Sequence, residues 1–140
     1  MTVVAPVLVG VAYAALMSLI RDPDRRREVN AVMVAGAGAA YLSGGAFGAW
    51  ELALTAAVTY CAYRGLRSWS WIGVAWLLHT CIDVAHAARG ADILPFAPHS
   101  SLGCAICDPV IALWCLAGGP TVGELAARLP RLRRSAAGTS

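Results

Sequence analysis

Residues 68–88 read SWSWIGVAWLLHTCIDVAHAA. This stretch is apolar apart from His79, Asp83 and His86, and it matches the run of about 20 residues that crosses the hydrocarbon of a bilayer. Trp69 and Trp71 stand near its start, where aromatic rings settle at a membrane–water interface. The spacings of four and three residues between His79, Asp83 and His86 place all three on one helical stripe. An ionisable side chain near the bilayer centre costs on the order of 2.5–3.5 kcal/mol, so it faces a partner or a watery cavity. One stretch therefore predicts both a membrane span and a polar pocket.

The rest of the chain repeats the apolar pattern. Of its 140 residues 59% are hydrophobic and 14% charged, with a mean hydropathy of +0.63. A soluble domain carries about 25% charged residues. Val3 to Ile20 is an uncharged apolar run, without the basic flank and cleavage site of a removable leader. Asp22 before Pro23 predicts an N-cap with proline in the first helical position. Between Asn30 and Tyr63 the one charged residue is Glu51. The turn composition Ser43-Gly44-Gly45 divides this stretch into a second span ending near Leu42 and a third over Ala46 to Tyr63. Ala35, Gly36, Gly38, Ala39 and Ala40 supply the small-residue spacing that lets helices approach closely in lipid. After the fourth span, Arg89 to Leu102 reads as a loop, with His99 in solvent. Gly103 to Gly119 is the fifth span, kinked by Pro109, with Ser101 as its N-cap. Thr121-Val122-Gly123-Glu124 has the spacing of a capping box. It opens a short basic amphipathic helix bearing Leu125, Leu129, Leu132, Arg128, Arg131, Arg133 and Arg134.

The eleven basic residues are all arginine and cluster between the apolar runs. Their distribution sets topology rather than a nucleic-acid stripe. It places the N-terminus outside and the C-terminus in the cytoplasm. The expected architecture is an all-α, five-span transmembrane helix bundle over residues 1–120 with a cytoplasmic tail over 121–140. The expected location is the inner cell membrane, multi-pass.

This topology gathers the chemistry on one side. His79, Asp83, His86, Glu51, Cys104, Cys107, Asp108 and His99 all map to the extracytoplasmic half. His, carboxylate and thiolate are ligands for zinc or a related transition metal. His79, Asp83 and His86 are the candidate metal ligands, with Cys104 and Cys107 as further thiolate ligands. The plain alternative is a structural network, with Asp83 paired to Arg89 or to the imidazoles. Glu51 and Asp108 are the candidate catalytic carboxylates; Glu51 as a mere helix cap is the competing reading. Cys104 and Cys107, a C-x2-C placed in the first turn of a helix, also suit a dithiol–disulfide couple on an oxidising face. Cys61, Cys81 and Cys115 read as small hydrophobes, so no secreted disulfide framework is expected. Phosphate-loop, G-x-S-x-G and H-E-x-x-H motifs are absent.

Ala40-Tyr41-Leu42-Ser43-Gly44-Gly45, Tyr63-Arg64-Gly65-Leu66-Arg67-Ser68, Trp76-Leu77-Leu78-His79-Thr80 with Asp83 and His86, and Ser100 to Pro109 resemble a family of small bacterial integral membrane proteins, domain of unknown function 6010. The resemblance runs to about Gly119. It implies a membrane location and no assigned activity. The C-x2-C also loosely resembles membrane thiol oxidoreductases of the vitamin K epoxide reductase type, but the second cysteine pair of their relay is missing.

Three functions follow as expectations. The first is a metal-binding protein or metal-dependent enzyme with an outward-facing His/Asp/Cys pocket, where an ion lowers the pKa of bound water. The second is a thiol–disulfide protein using Cys104 and Cys107. The third is a structural or transport subunit. Expected partners are membrane lipids, a further copy of the chain, and an unidentified small-molecule or lipid substrate, with no nucleic acid.

Overall fold

The computed structural model describes residues 3–44, 46–94 and 96–127. These form six helices and no strand: α1 (Val4–Met17), α2 (Pro23–Ala39), α3 (Tyr41–Gly44), α4 (Trp50–Gly65), α5 (Trp69–Ala88) and α6 (Ser100–Leu116). The chain is all-α, and the five long helices coincide with the five apolar runs. Among the described residues, α5 is the one helix long and apolar enough to cross a membrane; α1 and α6 are apolar but shorter.

The boundaries follow local chemistry. Asp22 accepts hydrogen bonds from the backbone N–H of Asp24 (2.9 Å) and Arg25 (3.4 Å), with Pro23 at the first helical position. Thr121 and Glu124 form the reciprocal capping box, Thr121 N–H to Glu124 Oε2 at 2.6 Å and Glu124 N–H to Thr121 Oγ1 at 3.1 Å. Residues 122–127 are helical; Arg128, Leu129, Arg131, Leu132, Arg133 and Arg134 lie outside the described residues.

Two boundaries differ from expectation. The third long helix begins at Trp50 rather than Ala46, because Gly48 adopts φ 57° and breaks the turn before it. The last begins at Ser100, inside the stretch read as a loop, with His99 in the cap position at φ 62° and exposed to solvent. Ser101 is not the cap. Its hydroxyl donates to the Ala91 carbonyl (2.6 Å) and accepts from the Ile93 N–H (3.1 Å), tying the preceding loop to α6. Cys104 therefore lies beyond the first turn, where the helix dipole has faded. The helix continues through Pro109.

The α5–α6 pair is the most extensive helix contact, with α4 against α5 and α2, and α1 against α6. Although α1 leads directly into α2, it rests chiefly on α6 and leaves a gap beside α2. Tyr13 Oη bridges the gap by donating to Asn30 Oδ1 at 2.8 Å. Asn30 in turn donates to the Arg26 carbonyl (2.7 Å). The buried Arg26 guanidinium donates to the carbonyls of Ile20 (2.6 Å) and Gly119 (2.9 Å), and Glu124 lies 3.8 Å away. The solvation an arginine loses on burial is replaced here largely by carbonyl dipoles.

The small residues of α2 divide by role. A Cβ on Gly38 would lie 2.7 Å from Val58 Cγ1, so this glycine sets the approach of α2 to α4. A Cβ on Gly36 would meet nothing within 4 Å. Gly38→Leu should therefore lower the purified protein's stability by about 1–3 kcal/mol through overpacking, whereas Gly36→Ala should leave its thermal midpoint nearly unchanged. Equal midpoints for the two variants would contradict this packing.

Candidate functional site

α5 presents His79, Asp83 and His86 to the interior, all three buried. Two turns separate His79 from His86, a rise of about 10 Å, and each meets different neighbours. α6, lying along α5, delivers Asp108 to His79. α4 delivers Glu51, from its first turn, to His86. The structure thus divides the stripe into two clusters.

In the first, His79 Nδ1 lies 2.9 Å from Asp83 Oδ2 and 2.9 Å from Asp108 Oδ2. A ring nitrogen carries one hydrogen at most. Its hydrogen bond goes to Asp83, while Asp108 Oδ2 has no hydrogen-bond partner. Tyr41 holds the cluster from α3: its hydroxyl lies 2.9 Å from Asp83 Oδ1 and 3.0 Å from the His79 carbonyl, both acceptors. His79, Asp83 and Asp108 offer one ligand atom each within 4.8 Å of one another.

In the second cluster, His86 Nδ1 lies 2.9 Å from the Ile82 carbonyl. A carbonyl only accepts, so Nδ1 carries the hydrogen. His86 Nε2 lies 3.0 Å from Glu51 Oε1, and this contact holds a shared proton or a charge-assisted bond. Glu51 Oε1 also accepts from the Phe47 N–H at 3.0 Å. Glu51 thus ties down the turn before its helix and meets a histidine; it does not cap the helix, whose N-cap position, Ala49, has no side-chain hydrogen bond. Tyr41 joins the clusters, its ring stacked on His86 (centroids 5.2 Å apart, 16°) and tilted against His79 (4.8 Å, 34°).

Arg89 does not pair with Asp83. Its guanidinium lies over the Phe47 ring, 4.1 Å from the centroid, and donates to the Ala46 carbonyl at 3.1 Å. Cys104 and Cys107 are free thiols on one face of α6. They line a cleft of about 520 Å³ together with Tyr13, Trp76, His79 and Asp108. Cys61 and Cys115 are buried among apolar residues, whereas Cys81 is exposed. Tyr41, Asn30 and Arg26 carry buried polar functions that the sequence reading missed, Arg26 because it stands among the charged residues Asp24 to Glu28.

Buried ionisable groups on an all-helical bundle define the class of molecule. A family model matches residues 1–121, and the chain belongs to that family, a family of unknown function (DUF6010). No curated protein and no solved structure matches the chain.

Tyr41→Phe removes the hydroxyl that satisfies Asp83 Oδ1 and should destabilise the fold by about 1–3 kcal/mol, the cost of an orphaned buried acceptor. Chemical denaturation of the purified protein measures this; an unchanged midpoint would show that Asp83 does not depend on Tyr41.

Proposed function

We propose that this chain is a five-span inner-membrane protein whose buried His79, Asp83 and Asp108 hold a divalent transition metal such as zinc. The observation that carries the reading is the convergence of two carboxylates on one imidazole nitrogen in a buried place. Two carboxylates packed together resist double ionisation. A divalent ion held by His79, Asp83 and Asp108 would balance their charge. Tetrahedral zinc with bonds of about 2.0–2.2 Å spaces its donors about 3.4 Å apart, so the donors, now 2.9 Å apart, would spread by about half an ångström to hold it. The ion would serve as Lewis acid and water activator. Glu51 and His86, outside the first ligand set, are placed to hold a proton nearby.

The membrane reading is supported by the inverted distribution of side chains. Arg26, Asn30, Glu51, His79, Asp83, His86 and Asp108 are buried, while Leu8, Val32, Leu52, Val84 and Leu113 face outward. Polar groups inside and large apolar groups outside are the order expected in lipid. The N-terminus lies outside and the C-terminus in the cytoplasm, following the arginines.

Detergent-purified protein should contain near-stoichiometric metal by mass spectrometry. His79→Ala and Asp108→Asn should lose it, and His86→Ala and Glu51→Gln should keep it. Metal-free wild type, purified folded without chelators, would overturn the metal reading. The protein should also stay in the membrane pellet after alkaline carbonate extraction. An alkaline phosphatase fusion after Ala97 should be active, and a fluorescent protein at the C-terminus should glow. Extraction by carbonate would overturn the five-span reading.

A second reading, a thiol–disulfide couple, is favoured by the position of Cys104 and Cys107, one turn apart on the same cleft. A redox-dependent gel shift abolished by Cys107→Ser would select it.

A further inference from the structure

The gap between α1 and α2 and the unsatisfied polar atoms beneath it belong to one cavity. Among the described residues, four buried side-chain polar atoms have no hydrogen-bond partner: Glu51 Oε2, Trp76 Nε1, His79 Nε2 and Asp108 Oδ2. Three of these belong to residues that line the 520 Å³ cleft. Trp76, His79 and Asp108 are each between 3% and 5% exposed, so bulk solvent does not explain their state. Buried polar groups are almost always paired; Asp108 Oδ2 has the His79 Nδ1 contact at 2.9 Å, but Trp76 Nε1 and His79 Nε2 have none, and two orphans in one cavity indicate a missing ligand.

The chemistry of the orphans specifies the ligand's head. Trp76 Nε1–H is donor only. With an ion on the Nδ1 side of His79, the ring hydrogen resides on Nε2, making a second donor. Two N–H donors beside an ion call for an oxygen acceptor.

The cleft walls specify the rest. Val9 on α1 and Val32 and Met33 on α2 line it and are also exposed on the outer surface. The cleft therefore opens sideways, through apolar residues. Gly36 lines it too, and a Cβ there would meet nothing. That glycine is not explained by helix packing, as Gly38 is; it keeps the cavity clear.

We propose that the cleft binds a long-chain acyl amphiphile taken from the surrounding bilayer. Its carbonyl or carboxylate oxygens sit against Trp76, His79 and the ion, and its hydrocarbon chain leaves between α1 and α2. The head-group half of this proposal rests on the metal reading above; the chain half does not. The volume lies within the range of about 300–1,000 Å³ typical of small-molecule sites.

The test uses the full chain in nanodiscs and a palmitic acid analogue with a diazirine at the chain end. Saturable photolabelling should map to Val9, Val32 or Met33 and be competed by palmitic acid but not by hexanoic acid. Gly36→Leu, whose Cβ would enter the cleft with nothing within 4 Å, should weaken labelling roughly tenfold, equivalent to about 1.4 kcal/mol. Its metal content and thermal midpoint should match wild type. Met33→Trp provides a second way to fill the cleft if Gly36→Leu does not fold. Labelling spread over outward residues such as Leu52 and Leu113, unsaturable and indifferent to both variants, would overturn the proposal. Metal analysis of the same samples separates the two readings. Saturable labelling without metal would retain the chain site and remove the metal; metal without saturable labelling would do the reverse.

Discussion

A single imidazole nitrogen facing two buried carboxylates is the constraint around which this molecule is organised. His79 and Asp83 come from α5 and Asp108 from α6, so their contact fixes the register of the most extensive helix pair in the fold. Tyr41 adds a third element by reaching Asp83 from α3. Shifting α6 by one residue would turn Asp108 about 100° away and leave its carboxylate buried without a cation. Removing one partner of a buried charged set costs far more than the set contributes. The cluster thus specifies one packing among the several that apolar helices would otherwise allow.

The proposed reaction chemistry depends on what the cluster does not satisfy. A network closed on itself would hold the helices and do nothing else. Here Asp108 Oδ2 and His79 Nε2 remain without hydrogen bonds, and both residues line a cleft beside two thiols. The second pair, His86 with Glu51, satisfies more of its atoms and binds α4 to α5. Similar residue types on one helix therefore support two different arrangements, one more closed and one more open.

The sequence made the helical elements legible because capping and apolar runs are local. Asp22 with Pro23 and Thr121 with Glu124 formed the caps their spacing predicted. The inward stripe of α5 was equally legible, since helical periodicity alone places 79, 83 and 86 together. Partner choice was not. Whether His86 meets His79's ligands or Glu51 depends on where α4 ends up, and no local signal carries that. Ser101 shows the same limit. Its composition suits a cap, but the Ala91 and Ile93 backbone competed for its hydroxyl. Gly36 and Gly38 looked alike in sequence and differ in what faces them.

The buried Arg26 has a consequence for the order in which the molecule is built. Its guanidinium donates to the carbonyl of Ile20, six residues before it, and to that of Gly119, 93 residues after it. The first partner exists as soon as the α1–α2 hairpin is made. The second does not exist until nearly the whole bundle has been synthesised. Until then the guanidinium has only the first of these two acceptors. Closure around Arg26 is therefore a late step in biogenesis, completed only once the segment that follows α6 has been made.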